Sequence, residues 1–289
     1  MKRTEAKRRA ADGKRQILAW IEEDRDRIIG FVADFVRIAS PNPPGDTRAA
    51  REFVAKFLDE QGLDYRVVDP EPTMPNIIAA FDGEAGLGRH LVLNGHIDVF
   101  PVGDRQGWTK DCWGGEVSKG RIWGRGACDM KSGTTASIFS YVYLARLRER
   151  LAGRLTLTVV SDEETFGEWG SRYLVANHPE VLGDCCLNAE PSSRHTIRFG
   201  EKGFIWLRFH VNTSGGHSAY PHLGASATKL AARLIVSLEK LRDLRPDMPG
   251  NVAAAIERGR PAIEAGLGRG ATDIMAGVTT NVGTITGGA

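Results

Sequence analysis

Apolar positions along the chain set the first expectations. Residues 17–38 place Ile17, Ile21, Ile28, Phe31, Val32, Phe35 and Val36 mostly at helical spacing, and the run stops at Ser40-Pro-Asn-Pro-Pro-Gly45, which cannot continue a helix. A second helix is predicted near residues 48–61, ending at Gly62. Residues 90–99 (HLVLNGHIDV), 154–161 (RLTLTVVS) and 184–189 (DCCLNA) read as strands, and residues 131–151 between the first two read as a long helix. Strands alternating with helices predict an α/β domain with a largely parallel sheet.

The pattern changes after Gly200. In residues 203–212 (GFIWLRFHVN) the odd positions Ile205, Leu207, Phe209 and Val211 are apolar, while Arg208, His210 and Asn212 are polar. Alternation of this kind predicts a half-buried antiparallel strand. A Gly-Gly-His-Ser turn follows, then a helix with Ala227, Leu230, Ala231, Leu234, Leu238 and Leu241 on one face, then a polar stretch, and residues 277–286 read as another strand. The expectation is an α/β domain over 1–200 and a smaller α+β domain over 201–289.

Composition narrows the class without naming a chemistry. The 289 residues are 42 % apolar and 26 % charged, the mix of a globular protein. Lys plus Arg number 38 against 36 Asp plus Glu, so the net charge of +2 gives no global case for a nucleic-acid or acidic-membrane partner. No apolar run approaches the ~20 residues of a membrane span. The basic start (Lys2, Arg3, Lys7, Arg8, Arg9, Lys14, Arg15) lacks the apolar core of a signal peptide and reads as a solvated helix start. Cys112, Cys128, Cys185 and Cys186 show no Cys-x-x-Cys spacing, which fits a reducing cytoplasm rather than a disulfide framework.

Candidate chemistry gathers where the predicted strands end. His96 and Asp98 close one strand and, two apart on extended chain, share a side. Asp129 lies on a glycine-rich approach to a helix, Glu163 and Glu164 follow the second strand, and Glu190 follows the third. Taken singly, Asp129 reads as a helix cap, the paired glutamates as a solvated turn and His96 as a structural histidine. Together they meet at the strand ends, where open α/β sheets bind ligands. Such an N/O set suits Zn²⁺, and also Mn²⁺ or Co²⁺. A carboxylate such as Asp129 can bridge two ions, one of the paired glutamates can serve as base and the other as ligand, and Asp98 can orient His96.

At these residues the sequence resembles the M20 metallopeptidase family, which includes acetylornithine deacetylase, succinyl-diaminopimelate desuccinylase, aminoacylase-1 and the glutamate carboxypeptidases. The resemblance runs from Ser40-Pro-Asn-Pro-Pro-Gly45 to Thr280-Asn-Val-Gly-Thr-Ile-Thr-Gly-Gly288. Its most specific parts are Gly95-His-Ile-Asp-Val99, Trp123-Gly-Arg-Gly-Ala-Cys-Asp-Met-Lys131, Asp162-Glu-Glu164, Glu190-Pro191 and Gly216-His-Ser218. The resemblance implies a zinc-hydrolase domain carrying a ferredoxin-like lid, and two Zn²⁺ ions bridged by Asp129. It further implies His96 and Glu190 on one ion, Glu164 on the other, Glu163 as general base and Asp98 as partner of His96. His217 and Asn281 correspond to lid residues that meet the substrate, the histidine commonly reaching across a homodimer. Trp123, Cys128 and Lys131 read as packing or support.

The expected activity is hydrolysis of an amide in an N-acyl amino acid or small peptide, in the cytoplasm. Family members also carry a late histidine ligand and an arginine for the substrate carboxylate, and this chain stops before either. A truncated product or a fragment of a longer frame is therefore expected, with a catalytically silent chain that keeps the fold as the alternative. No Gly-x-Ser-x-Gly elbow supports a serine hydrolase.

Overall fold

The computed structural model describes residues 2–288 and falls into two units, Met1–Pro191 and Ser192–Ala289. Side chains of the basic residues Lys2, Arg3, Lys7 and Arg9 lie outside the described residues.

In the first unit the expected helix over residues 17–38 is two helices, α1 (Lys2–Glu23) and α2 (Arg25–Arg37), parted at Asp24. The next elements are α3 (Arg48–Glu60), β1 (Arg66–Val68), β2 (Asn76–Asp82) and β3 (His90–His96). A two-stranded ribbon, β4 (Glu116–Ser118) and β5 (Arg121–Trp123), precedes α4 (Ser132–Ala145). The unit closes with β6 (Arg154–Val160), α5 (Ser171–Asn177) and β7 (Cys185–Asn188). The main sheet has the order β1-β2-β6-β3-β7. It is mixed: β3 pairs in parallel with both β6 and β7, whereas β1–β2 and β2–β6 are antiparallel.

Residue alternation on the strands separates two apolar layers. Ile77 and Ala79 of β2 and Leu155, Leu157 and Val159 of β6 face a core built with Phe31, Phe35, Val54, Phe57, Leu58, Ile138 and Phe139 from α2, α3 and α4. Ile78 and Val160 face the other way, against Leu174 and Val181. Aromatic rings dominate the larger core, with Phe31 4.6 Å from Phe53 and 4.8 Å from Phe57 between centroids. Leu93 of β3 also packs into this core, and β3, held between β6 and β7, is the strand that carries the histidine of the site.

The second unit contains α6 (Ala227–Glu239), α7 (Gly250–Leu267) and α8 (Ala271–Ala276). Ser226 caps α6, its hydroxyl accepting the Lys229 N–H at 3.3 Å. Arg260 of α7 donates to Asp273 of α8 at 2.9 Å. The strands expected over residues 203–212 and 277–286 are not formed. Alternation defines which face of a strand is apolar but supplies no partner, and neither segment finds a ladder among the described residues. Ile205, Leu207 and Phe209 accordingly stay exposed.

Candidate metal centre

The register of the parallel strands determines which side chains meet. His96, the last residue of β3, lies opposite Val160 of β6, and Asn94 lies opposite Asn188 of β7. The residues that follow β6 and β7 therefore emerge beside His96 at one sheet edge, as ligand-bearing loops do in open α/β sheets. After β6 the chain turns through Asp162, in the left-handed region at φ 68°, into a short 3-10 turn at Glu163–Thr165. After β7 it delivers Glu190, whose N–H donates to Asn188 Oδ1 at 2.7 Å.

Two close approaches bring the remaining segments in. A Cβ on Gly133, at the start of α4, would lie 2.2 Å from the Ala189 carbonyl oxygen, so only glycine lets the Glu190 segment pack there. Gly126 has φ 81°, and a Cβ on it would lie 2.4 Å from Val99 Cγ1; this turn leads into Asp129. Behind Asp129, Lys131 is fully buried and its Nζ donates to Phe35 O at 3.0 Å and Ile38 O at 2.6 Å, two carbonyls at the end of α2. A cation is favoured at a helix C-terminus. Burial nevertheless pulls the Lys131 pKa down to about 7, with Asp98 acting in the opposite direction.

His96 is the hub. Its Nδ1 donates to the Asp98 carbonyl oxygen at 2.9 Å, and because a carbonyl can only accept, Nδ1 carries the proton. Nε2 then faces three carboxylates: Asp129 Oδ1 at 3.2 Å, Glu190 Oε2 at 3.6 Å and Glu163 Oε2 at 3.7 Å. Two groups of ligand atoms share this histidine, His96 with Asp129 and Glu190, and His96 with Glu163 and Glu164, each within 4.8 Å. The imidazole is 2 % exposed, while the side chains of Asp129 and Glu163 are about half exposed, so the centre has a dry floor and an open rim.

Asp98 is wholly buried and holds the site from beneath. Its Oδ1 accepts the Glu163 N–H at 3.2 Å, and its Oδ2 accepts the Glu164 N–H at 3.1 Å and the Asn42 amide at 2.9 Å. Asp162 Oδ2 accepts the Trp169 N–H at 2.9 Å, and its Oδ1 accepts from Asn42 at 3.2 Å and from the Thr165 hydroxyl. The sequence shows Asn42 only as part of a proline-rich helix stop; a buried polar residue between two prolines is the one local signal of its contacts.

The charges are poorly balanced by protein alone. Burial by itself would lower the His96 pKa, but the hydrogen bonds to Asp129 and Asp98, with the charges of Asp98 and Glu163, raise it to about 11. Burial, reinforced by Asp129, pushes Glu164 up to about 7. Glu190 is likewise pushed up to about 7 by burial, with Asp129 adding to it against the pull of His96. Burial raises Glu163 as well, whereas the His96 hydrogen bond lowers Asp129. Glu164 Oε1 is buried without a hydrogen-bond partner among the described residues. Four carboxylates crowded round one imidazole, one of them with an orphaned buried oxygen, fit a divalent cation of the oxygen- and nitrogen-binding kind.

His96, Asp98, Asp129, Glu163, Glu164 and Glu190 thus come together in the first unit. His217 and Asn281 belong to the second unit, where both are exposed; His217 Nδ1 accepts the Ala219 N–H at 3.1 Å.

The sequence model of peptidase family M20/M25/M40 matches residues 92–283, about two thirds of the chain. The chain belongs to this family. It is 36 % identical over 214 residues to the succinyl-diaminopimelate desuccinylase of Cereibacter sphaeroides (strain ATCC 17025), covering 72 % of this chain and 55 % of that enzyme. The enzyme of the same name from Paracoccus denitrificans is 33 % identical, with the same coverage of 72 % and 55 %. The chain spans about half the length of these curated relatives. Human carnosine dipeptidase 1 shares the fold at a TM-score of 0.52 and 20 % identity, over 60 % of this chain and 40 % of that one. The M20 family metallo-carboxypeptidase Sso-CP2 from Sulfolobus solfataricus shares it at 0.50 and 20 %, over 59 % and 38 %. The α/β class expected from the sequence agrees with both.

Proposed function

We propose that this M20/M25/M40 chain is the metal-binding part of an amide hydrolase acting on N-acyl amino acids or small peptides. The observation that carries the reading is the pair of ligand groups sharing His96, with the buried, unpartnered Glu164 oxygen beside them. Asp129, His96 and Glu190 would hold one ion, and Glu164, together with Asp129, would hold a second. Zn²⁺ is the expected metal, with Co²⁺ or Mn²⁺ as substitutes. Bound there, divalent ions supply Lewis acidity toward an amide carbonyl and acidify water toward a pKa of about 7.

The chain's own residues do the proton work. Glu163, raised by burial, takes a proton at its carboxylate when water attacks the amide carbon and returns it to the leaving nitrogen. Asp98 keeps Nδ1 of His96 occupied, which would leave the Nε2 lone pair free to hold an ion. The dry floor formed by His96 and Asp98 keeps water from competing beneath the ligands.

Names of the relatives support a succinylated or acylated amine as substrate. We further propose that the second unit acts as a lid and dimerisation domain, with His217 and Asn281 meeting the substrate, the histidine from across a homodimer. Adjacent thiols at the exposed Cys185 and Cys186 suit a reducing cytoplasm.

The test is hydrolysis of N-succinyl and N-acetyl amino acids, followed by amine release, before and after chelation and after return of Zn²⁺ or Co²⁺. Turnover that needs the metal supports the reading. Absence of both metal binding and turnover overturns it.

A further inference from the structure

Asn42 is 1 % exposed and bridges groups far apart in sequence. Its Nδ2 faces three acceptors: Asp98 Oδ2 at 2.9 Å, Asp162 Oδ1 at 3.2 Å and Thr165 Oγ1 at 2.9 Å. Thr165 spends its own hydroxyl proton on Asp162, so its oxygen is available to accept from the amide. Two amide hydrogens serve three acceptors, which requires a shared bond and a fixed amide plane.

The backbone around Asn42 holds that plane. Asn42 N–H donates to Val99 O at 2.9 Å, and Val99 N–H donates to Ser40 O at 3.0 Å. The amide is thus anchored to the same segment that carries Asp98. It stands between two buried carboxylates, Asp98 at 0 % and Asp162 at 2 % exposure, which would repel each other at high cost without a donor between them.

Those two carboxylates suspend the acidic turn. Asp98 accepts the N–H groups of Glu163 and Glu164, and Asp162 begins the turn and accepts the Trp169 N–H. Asp129 and Glu190 are placed by other means, the Gly126 turn and the Asn188 and Gly133 contacts. His96 donates to the Asp98 backbone carbonyl, which Asn42 does not touch, and the Asp98 oxygen 3.4 Å from the imidazole is Oδ1, whereas Asn42 bonds Oδ2.

We propose that Asn42 is a positioning residue that sets the Glu163–Glu164 turn against His96, and so governs the ion on the Glu164 side while leaving the ion of His96, Asp129 and Glu190 unaffected. This rests on the two-ion reading of the site.

The experiment titrates the metal-free chain with Co²⁺, followed by ligand-field absorption and calorimetry, in the wild type, Asn42→Ala and Ser40→Ala. Ser40→Ala removes the hydroxyl's buried bond to Ile97 O at 2.6 Å while keeping the backbone bonds that hold Asn42, and touches neither carboxylate. The expected wild-type curve has a tight and a weak phase. Asn42→Ala should weaken the weak phase by roughly 10-fold or more, the scale of losing a ligand's supporting partner, with the tight phase unchanged within about 2-fold. Ser40→Ala should change neither. Where Asn42→Ala fails to fold, Asn42→Ser keeps a hydroxyl donor and is expected to shift the weak phase in the same direction. Equal weakening of both phases, no change in either, or a single wild-type phase overturns the inference. A wild-type chain that takes up no Co²⁺ overturns the metal reading itself, which a two-phase wild type with an unaltered Asn42→Ala does not.

Discussion

His96 and Asp98 are joined at two points: Nδ1 of the imidazole donates to the Asp98 backbone carbonyl at 2.9 Å and lies 3.4 Å from Asp98 Oδ1. One residue therefore supplies both the hydrogen bond that selects the tautomer and a negative charge beside it. The other ring nitrogen is left to face Asp129, Glu163 and Glu190.

A single Nε2 can serve one ion, so the two ligand groups cannot be equal. The group with Asp129 and Glu190 is expected to hold one divalent ion tightly, and the ion relying on Glu164 is expected to be weaker. Elemental analysis after desalting should give one metal per chain, with a second taken up only on titration. Two ions surviving desalting would count against this ranking.

Asp98→Asn tests the support beneath the site. Each Asp98 oxygen already receives a donor, and an amide would turn one N–H₂ group against the Glu163 N–H or against the Glu164 N–H and Asn42 amide. Metal affinity should fall about 10- to 100-fold, and the chain should lose roughly 1–3 kcal/mol of stability from the unsatisfied groups. Calorimetric titration and thermal unfolding of the variant read both effects.

Glu163→Gln should leave metal content nearly unchanged while lowering kcat by a factor of about 10² or more, the usual loss for a general base. Elemental analysis and turnover of an N-acyl amino acid, measured side by side, check this. Loss of a metal would instead exchange the roles of Glu163 and Glu164.

The pH dependence of the metal-free chain has a definite sign. Glu164 and Glu190 rise from 4.5 to about 7 in the folded state, chiefly by burial. Groups with raised values stabilise fully below the unfolded pKa, and that stabilisation is lost as pH rises through the folded one. His96, raised from 6.5 to about 11, acts in the same direction from pH 6.5 upward. Asp98 and Asp129 are lowered, so their contribution fades only in acid below 3.8. The melting temperature in chelator should thus fall between pH 5 and pH 8. Saturating Co²⁺ should reverse the trend, because its ligands must give up protons to bind. Parallel slopes with and without metal would contradict this.

Gly133→Ala tests the packing that delivers Glu190. Its methyl would press on the Ala189 carbonyl oxygen, a backbone atom that cannot turn aside. Overpacking of this kind costs about 1–3 kcal/mol, and the displaced Glu190 should loosen the tight ion. Equal metal affinity in the two chains would show that β7 tolerates the shift.

Much of this arrangement is legible in the sequence, for identifiable reasons. β3 and β6 are short apolar runs bounded by polar turns, and His96, Asp98, Glu163, Glu164 and Glu190 sit at or just past strand ends, so strand order gathers them, whereas Asp129 enters on the Gly126 turn. Asn42 escapes because its partners lie 56 and 120 residues away and its neighbours are prolines that dominate any local reading. α7 escapes because Gly250, Gly259, Pro261 and Gly266 weaken its helical signal. Residues 203–212 show the opposite failure, a clear alternation with no partner strand among the described residues.

Lys131 has a consequence for motion. Its Nζ ties the last carbonyls of α2 to the segment bearing Asp129 and lies 4.9 Å from the Phe35 ring, so opening either segment leaves a buried amine without its acceptors and two carbonyls without their donor. The two stretches should therefore exchange their amide hydrogens as one cooperative unit. A Lys131→Met chain would uncouple them, with the Asp129 segment exchanging earlier than α2.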